Sequence, residues 1–417
     1  MRSDQAKLLT GNAAAAWGAR LAEAEYVPAF PITPQTEIIE ALAQWIDAGE
    51  MRARMVTLES EHSMLTAAGT AAATGVRVFT ATSSQGLLYA MEMLYTVAGW
   101  RVPLVMVNVS RGVAAPLTLE CDHNDVLAAR DSGFLQLHAA TCQEVLDSVL
   151  LAYRVAEDRR VRLPVLVNLD GFQLSFTREP VELPDVETVR TFLPPFDAST
   201  LKFQAGRPIS QAVAVMGGTL YSYFRYETHL AARNAELAFE DASLDFARVF
   251  GRRHAAVERY RCDGADIVFF MMGSLATKAM DAVDRLREAG HRVGLVRPRL
   301  WRPLPTTALQ EALGGRRAVI VVDQDVSLGM GGVLHAEVAS ALYGTPGAPM
   351  LTSFIGGLGG RDITTDELLE MVEVTDHALD TGVVPPPRLL YTKDELREMR
   401  KLQVIAHART EQPDAPS

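Results

Sequence analysis

Cysteine is scarce in the 417-residue sequence, and its scarcity excludes two kinds of site. The three cysteines, Cys121, Cys142 and Cys262, are odd in number and lie far apart. Disulfide frameworks need several paired cysteines, and iron–sulfur sites need closely spaced thiolates. If an iron–sulfur cluster takes part in the function of this chain, another chain must hold it.

Long apolar runs and clusters of positive charge are also missing. No segment approaches the roughly 18 apolar residues of a membrane span, and the alanine-rich residues 1–26 predict a helix packing face rather than a signal sequence. The formal net charge is −11, and Lys and Arg form no long basic run, GRRH at 251–254 being a short one, so the chain is unsuited to neutralising phosphates. We therefore expect a cytoplasmic metabolic enzyme that binds neither membranes nor nucleic acid.

Two common nucleotide-binding motifs are absent as well. No G-x-G-x-x-G follows the first predicted strand, and no G-x-x-x-x-G-K followed by Ser or Thr occurs, which disfavours Rossmann and P-loop sites. Glycine-rich stretches at 327–332 and 355–360 each lie between a predicted strand and a helix. Tight turns are the commoner use of such glycines, and anion binding at a helix start is the alternative.

What the sequence does contain is an alternation of short apolar runs with helical segments, which begin near Pro34, Glu61, Gln85 and Cys142. Runs that are apolar at every position indicate a parallel sheet covered by helices on both faces. The alternation pauses after about residue 190 and returns after residue 262. We predict an α/β fold with a first domain, a partly helical connecting region packed on it, a smaller α/β domain, and a C-terminal helix with a disordered tail, at 1–190, 191–262, 263–385 and 386–417.

Four polar corners follow the first four predicted strands: PITP at 31–34, ESEHS at 59–63, TSSQG at 82–86 and SRGVAAPLT at 110–118. Open parallel sheets bind their ligands beyond the carboxyl ends of the strands. We therefore expect the four corners to converge on one edge of the sheet. In the first corner, Pro31 and Pro34 restrict the backbone around Thr33.

Glu61 has two interpretations. Acidic residues in a first helical turn complement the helix dipole, which is the simpler explanation of Glu59 and Glu61. A carboxylate fixed at a sheet edge can instead hold a proton on a heterocyclic nitrogen of a cofactor. The neighbouring His62 has no second ligand three or four residues away, so we predict a local hydrogen-bonding role for it and no metal site.

Arg111 follows a wholly apolar strand and also has two interpretations. It could form an ion pair with Glu120, Asp122 or Asp125. It could instead present its two-pronged guanidinium to the carboxylate of a substrate. Composition and spacing leave both open.

The four corners in this order, together with DHNDVLAARDSGF at 122–134 and PVLVNLDGF at 164–172, resemble one known family. They are similar to the alpha subunit of the multisubunit 2-oxoacid:ferredoxin oxidoreductases, thiamine diphosphate enzymes that include pyruvate synthase. Later segments such as VRPRLWRPLP and FIGGLGGRDIT extend the resemblance over nearly the whole chain. The resemblance implies a pyrimidine-binding domain followed by a domain like the C-terminal domain of transketolase.

The resemblance also implies roles around the cofactor. Glu61 would hydrogen-bond the aminopyrimidine of thiamine diphosphate, favouring the tautomer whose nitrogen takes the proton from the thiazolium C2. Pro31 would pack beside the pyrimidine ring. Ser84, Gln85 and Gly86 would line the pocket of that ring.

For the substrate, the resemblance implies that Thr33 and Arg111 contact a 2-oxoacid, with Arg111 pairing with its carboxylate. Carbon dioxide would leave, coenzyme A would collect the acyl group, and the electrons would pass to 4Fe–4S clusters on other subunits. Such chemistry is typical of anaerobic metabolism.

Half of a thiamine diphosphate site is missing from the sequence, because the chain contains no G-D-G motif. In the family that motif holds Mg²⁺ and the diphosphate on a beta subunit. The resemblance therefore implies a heteromultimer with beta, gamma and ferredoxin-like delta subunits, and ferredoxin or an NAD-linked carrier as electron acceptor.

Two departures from the family pattern bear on the substrate. Phe30 stands where pyruvate enzymes usually have Tyr, and LTLECDHND at 117–125 differs from the segment expected there. A changed loop beside Arg111 suggests a bulkier substrate such as phenylglyoxylate, with pyruvate and branched or indole-bearing oxoacids as alternatives. Two other functions stay open: a non-catalytic interaction subunit, and a self-sufficient thiamine diphosphate lyase or transketolase-like enzyme.

Overall fold

The computed structural model describes residues 6–197, 202–210 and 213–405. The predicted disordered tail, EQPDAPS, lies outside the described residues. The strands of the N-terminal part are β1 (Ala6–Thr10), β2 (Tyr26–Ala29), β3 (Arg54–Thr57), β4 (Phe79–Thr82), β5 (Val105–Ser110), β6 (Leu135–His138), β7 (Val165–Asp170) and β8 (Arg178–Glu182). Its helices are α1 (Gly11–Leu21), α2 (Thr36–Asp47), α3 (Glu61–Ala72), α4 (Gln85–Tyr89), α5 (Met91–Trp100), α6 (Asn124–Ala128), α7 (Cys142–Ala156), α8 (Val186–Phe192) and α9 (Gly218–Phe250).

The C-terminal part repeats the alternation of strands and helices. Its strands are β9 (Val257–Tyr260), β10 (Ile267–Met271), β11 (Val293–Pro298), β12 (Leu300–Arg302), β13 (Ala318–Asp323), β14 (Met350–Ile355) and β15 (Arg388–Leu389). Its helices are α10 (Leu275–Glu288), α11 (Thr306–Leu313), α12 (Val333–Leu342), α13 (Thr365–Thr381) and α14 (Lys393–Ile405), with a 3₁₀ turn at Leu358–Gly360. No helix in the described ranges is long and apolar enough to cross a membrane.

The first large sheet has the strand order β12-β6-β7-β5-β4, in which β4 to β7 run parallel. These four strands are buried at every position, as expected for strands covered on both faces. The short parallel pair β2-β3 adjoins this sheet through a bridge from Tyr26 to Val78.

The second sheet has the order β15-β14-β13-β10-β11-β9, with only β9 antiparallel to its neighbour. The strand β12 follows β11 but pairs antiparallel with β6, so this part of the chain supplies an edge strand to the first sheet. Trp301 in β12 is fully buried. The predicted fold class, two α/β units built on parallel sheets, is confirmed.

One local prediction was wrong. Residues 6–10, expected to belong to a helix, form β1, which pairs antiparallel with β8. Its side chains are exposed or half-buried, so its sequence carries no apolar pattern. The second helix begins at Thr36, close to the predicted start near Pro34. Pro34 itself lies in the preceding turn, which Gln35 closes by donating its amide hydrogen to the carbonyl of Ile32 (3.0 Å).

The predicted connecting region, residues 191–262, contains the end of α8 and the long helix α9. It also contains β9, which pairs with β11 in the second sheet, so the end of this region does not belong to the first domain as predicted. The C-terminal half of α9 packs on α7 and α8, where Phe246 contacts Phe192 with 5.1 Å between ring centroids. Beyond the helix, Arg252 forms a 2.8 Å ion pair with the fully buried Asp147 of α7. These contacts fix the end of α9 on the N-terminal part of the chain.

Candidate functional site

The four polar corners meet at the carboxyl edge of the first sheet. The ends of β4 and β5 lie side by side, with Thr82 opposite Asn108. Arg111, the first residue after β5, donates one hydrogen bond to the backbone carbonyl of Thr33 (2.7 Å) and one to the side-chain carbonyl of Gln85. Gly86 lies against the carboxylate of Glu61. The structure thus brings together residues of all four corners.

The first corner is held by neutral hydrogen bonds. Gln35 donates through Nε2 to the carbonyl of Phe30 (2.9 Å), and Asn12 donates through Nδ2 to the carbonyl of Pro34 (2.8 Å). The peptide bond between Thr33 and Pro34 is cis. The side chains of Thr33 and of Pro31 are exposed, so within this chain Thr33 contributes its carbonyl rather than its hydroxyl.

Glu61 is the first residue of α3, yet it does not cap that helix. The hydroxyl of Ser60 accepts the amide hydrogen of Ser63 (3.2 Å) and serves as the N-cap. The Glu61 side chain is only 5% exposed and has no hydrogen-bond partner among the described residues. An acidic residue that merely complements a helix dipole gains nothing from such burial. The geometry therefore favours a binding role for this carboxylate over the dipole interpretation.

His62 takes the local role expected of it. Its Nε2 lies 3.3 Å from a carboxylate oxygen of Glu92, at the exposed side of α3. In the part of the chain that the structure describes, no group of three or more His, Cys, Asp and Glu side chains could hold a metal ion.

The loop after β4 is shaped around the Glu61 carboxylate. A Cβ atom at Gly86 would lie 2.5 Å from Thr82 Oγ1 and 2.9 Å from the carboxyl carbon of Glu61. Thr82 Oγ1 and Gln85 Nε2 are buried and find no partner among the described residues. Buried polar groups are normally hydrogen-bonded, so these two atoms indicate a polar ligand in this pocket.

Arg111 is 6% exposed, and burial lowers the pKa of its guanidinium, an effect that the nearby Asp125 carboxylate opposes. The ion pair that the sequence allowed, with Glu120, Asp122 or Asp125, is absent from the described part of the chain. Arg111 Nε is buried without a partner there. Within the described part of the chain, the guanidinium thus keeps one free donor, Nε, while two other donors bond the neutral carbonyls of Thr33 and Gln85.

Sequence reasoning missed Asp125 as a member of the site. Its carboxylate is fully buried and accepts the backbone amide hydrogens of Ser84 (3.0 Å) and Arg111 (3.3 Å). Burial raises the pKa of Asp125, and hydrogen bonds from Asn108 and Ser110 oppose that rise. The sequence signals were its place in the DHND stretch, which follows the fourth corner, and its position among the acids near Arg111, where only an ion pair was considered.

The glycine-rich stretch at 327–332 forms a tight turn, in which Ser327 and Gly331 exchange backbone hydrogen bonds of 2.7 and 3.1 Å. The helix that follows has its first amides taken by carboxylates of this chain. Asp325 accepts from Val333 (3.2 Å) and Asp323 accepts from Leu334 (2.6 Å). The turn interpretation is confirmed for this stretch, and the start of α12 offers no free amides to an external anion.

Comparison with known proteins agrees with this arrangement of corners. Residues 17–243 match the family profile described as pyruvate flavodoxin/ferredoxin oxidoreductase, thiamine diP-bdg. Residues 265–368 match the profile described as pyruvate:ferredoxin oxidoreductase core domain II. The chain belongs to this oxidoreductase family.

Curated relatives match almost end to end. The pyruvate synthase subunit PorA of Pyrococcus abyssi is 39% identical over 380 residues, which are 91% of this chain and 96% of the relative. The ketoisovalerate oxidoreductase subunit VorA of Pyrococcus horikoshii is 39% identical over 377 residues, 90% and 95% of the two chains. The predicted family, an alpha subunit of the thiamine diphosphate-dependent 2-oxoacid:ferredoxin oxidoreductases, is confirmed.

A solved structure shares the fold of this chain. It is a 2-oxoglutarate:ferredoxin oxidoreductase from Magnetococcus marinus, with 2-oxoglutarate, coenzyme A and succinyl-CoA bound. The TM-score is 0.68 at 21% sequence identity, and the match covers 88% of this chain. This chain spans 65% of the length of that longer chain.

Proposed function

We propose that this chain is the catalytic alpha subunit of a complex that converts a 2-oxoacid, coenzyme A and an oxidised acceptor to acyl-CoA, carbon dioxide and a reduced acceptor. The observation that carries the proposal is the pairing, at one sheet edge, of the buried Glu61 carboxylate and the buried Arg111 guanidinium. Among the described residues, the carboxylate has no hydrogen-bond partner and the guanidinium has a free donor, Nε. The first suits a cofactor ring nitrogen, and the second suits the substrate carboxylate.

Glu61 fits the aminopyrimidine of thiamine diphosphate. Bound thiamine diphosphate supplies the nucleophilic carbon that attacks the 2-oxoacid carbonyl. Glu61 holds a proton on the ring nitrogen. Because its carboxylate is buried and makes no hydrogen bond to the described residues, its interaction with that proton is strong. Ser84, Gln85 and Gly86 form one wall of the ring pocket, and Pro31 forms its exposed edge.

Arg111 binds the substrate. Its free Nε, together with a second hydrogen on a terminal nitrogen, offers a two-pronged donor to a carboxylate. The bond from Arg111 to the Thr33 carbonyl fixes the guanidinium at the first corner, so the exposed Thr33 side chain lies next to the bound oxoacid.

Gly86 gives the clearest local test of the ring pocket. Gly86→Ala should lower turnover by about 100-fold, because the new methyl group displaces the Glu61 carboxylate and small misplacements of catalytic groups are costly. Steady-state assays of the complex measure this loss. The matched control is Gly99→Ala in α5, where a Cβ meets no atom within 4 Å and turnover should be unchanged. Equal effects of the two changes would contradict the assigned pocket.

The partners follow from what this chain lacks. It has no G-D-G motif, so a beta subunit would hold Mg²⁺ and the diphosphate. Its cysteines Cys121, Cys142 and Cys262 are buried and unbonded to one another, so 4Fe–4S clusters would reside on gamma and delta subunits. The Magnetococcus enzyme is described with coenzyme A bound, which supports coenzyme A as the acyl acceptor here. Ferredoxin or an NAD-linked carrier would accept the electrons.

The function is tested by comparing the chain alone with the complex. The chain alone should bind thiamine diphosphate and Mg²⁺ far more weakly than the chain reconstituted with a partner that carries G-D-G, because only one half of the site is present. Isothermal titration measures the binding, and coenzyme A-dependent reduction of a low-potential dye by an oxoacid measures the activity. Tight binding by the chain alone would instead indicate a self-sufficient lyase or transketolase-like enzyme.

The same assay identifies the substrate. The relatives are named for pyruvate and ketoisovalerate, and the phenylglyoxylate hypothesis rests on Phe30 and on residues 117–125. Leu117 and Leu119 in that loop are exposed. Rates with pyruvate, ketoisovalerate, 2-oxoglutarate, indolepyruvate and phenylglyoxylate distinguish these substrates, and inactivity with all of them in a fully assembled complex would favour a non-catalytic subunit.

A further inference from the structure

The DHND stretch, residues 122–125, is the sequence motif that the proposed function leaves without a role. We infer that its last residue, Asp125, is a positioning residue that holds the cofactor loop, residues 82–86, and the substrate-binding Arg111 in one fixed relation. The inference rests on the proposed function, because Asp125 acts through residues that this function assigns to the site.

One oxygen of the Asp125 carboxylate joins the two corners directly. Its Oδ2 accepts the backbone amide hydrogen of Ser84 (3.0 Å) and that of Arg111 (3.3 Å). The same oxygen accepts Nδ2 of Asn108, in β5, at 3.0 Å. Ser84 belongs to the cofactor loop, and Arg111 belongs to the fourth corner, residues 110–118. A single oxygen atom therefore bridges these two segments beyond the paired ends of β4 and β5.

The other oxygen fixes the carboxylate itself. Its Oδ1 accepts the hydroxyl of Ser110 and the backbone amide of Val126, both at 2.7 Å. All the hydrogen bonds to Asp125 come from neutral donors, and the side chain is 0% exposed. A buried carboxylate with several neutral donors is rigid, because any rotation leaves buried N–H groups without an acceptor.

The backbone of Ser84 needs such a support. Its φ is +46° and its ψ is −115°, in a region that residues other than glycine avoid. The Ser84 hydroxyl also donates to the carbonyl of Gly112 (2.9 Å), the residue after Arg111. The cofactor loop is thus bonded to the segment around Arg111 directly, through Gly112, as well as through Asp125. The next residue, Gln85, is thereby placed to accept a hydrogen bond from the Arg111 guanidinium.

The rest of the stretch is anchored to the C-terminal part of the chain. The backbone amide of His123 donates to the carbonyl of Gln324 (2.8 Å), and the amide of Val326 donates to the side chain of Asn124 (3.1 Å). His123 also contacts the fully buried Asp170 at the end of β7 (2.8 Å). Asp125 therefore projects toward the site from a segment that is fixed from two sides.

The test is a double-mutant cycle in the assembled complex, with pyruvate or the oxoacid that the panel identifies, coenzyme A and a low-potential dye. Asp125→Asn keeps the shape of the side chain but turns one acceptor into a donor that faces N–H groups. We expect kcat/KM for the oxoacid to fall by about 100-fold, as for other small misplacements of binding groups. In combination with Arg111→Lys, the loss should be hardly greater than that of the more damaging single substitution, because Asp125 acts largely through Arg111.

The matched control is Asp147→Asn. Asp147 is also fully buried, and it binds Arg252 (2.8 Å) and His254 (2.9 Å), neither of which contacts the residues assigned to the site. Its substitution should lower the melting temperature, and any loss of kcat/KM should multiply with that of Arg111→Lys. A purely structural Asp125 would behave in the same way as this control.

Two results would overturn the inference: wild-type kcat/KM in Asp125→Asn, or a loss that multiplies with that of Arg111→Lys. If Asp125→Asn does not assemble, Ser110→Ala removes one donor to the same carboxylate and should give a smaller loss that again does not multiply. The proposed function fails separately, when Arg111→Lys alone leaves oxoacid use unchanged.

Discussion

Replacing Glu61 with glutamine should lower turnover by about 10²–10⁴-fold, the range that a positioned acid or base contributes. Glutamine has the same shape but does not stabilise a proton on the cofactor ring. Because the Glu61 carboxylate makes no hydrogen bond to the described part of this chain, folding and subunit assembly should be preserved. Exchange of the thiamine C2 proton in D₂O, followed by NMR on the complex, measures the affected step directly.

Glu59→Gln is the matched control for Glu61→Gln. The two residues flank Ser60, and the change in charge is the same, but Glu59 is exposed and accepts a hydrogen bond from the hydroxyl of Ser63. We expect turnover close to that of the unmodified complex. Full turnover in Glu61→Gln would contradict the catalytic assignment and favour the non-catalytic interaction subunit.

The central strands of the fold could be predicted from the sequence, and the edge strands could not. The strands β5 and β7 are apolar at four of their six positions and buried throughout, so burial largely dictates their sequence. The edge strands β1, β12 and β15 contain two to five residues each. They form because a distant segment of the chain provides a partner strand, as β6 does for β12. A run of so few residues contains no sequence pattern that predicts this pairing.

The location of the site could also be predicted, but its hydrogen bonds could not. The convergence of Thr33, Glu61 and Arg111 follows from the rule that parallel strands end at one edge. The partners of Arg111 do not follow from spacing, because the nearby acids looked like better partners than the carbonyls of Thr33 and Gln85. Asp125 bonds mainly to backbone amides and neutral side chains, which any sequence supplies, so only the folded chain reveals its role.

Replacing Arg111 with lysine should lower kcat/KM for the 2-oxoacid by about 10- to 150-fold, which corresponds to roughly 1.5–3 kcal/mol for a hydrogen bond to a charged group. An ammonium group keeps the charge but loses the two-pronged geometry that matches a carboxylate. Thiamine diphosphate affinity should be unchanged, because Glu61 and the loop at 82–86 remain in place. Steady-state kinetics over a range of oxoacid concentrations, with titration of the cofactor, measures both quantities.

Arg77→Lys is the matched control for Arg111→Lys, because Arg77 is also buried and bears a two-pronged contact. It binds Glu157 at 2.7 and 2.9 Å, and it precedes β4, whereas the site lies beyond the other end of that strand. Its substitution should therefore lower stability while leaving the KM for the oxoacid unchanged. If Arg111→Lys instead abolished cofactor binding and spared oxoacid use, the guanidinium would belong to the cofactor pocket. If KM for the oxoacid rises in Arg111→Lys and not in Arg77→Lys, the Arg111 guanidinium binds the substrate carboxylate. Its hydrogen bonds to Thr33 and Gln85 hold it in place for that contact.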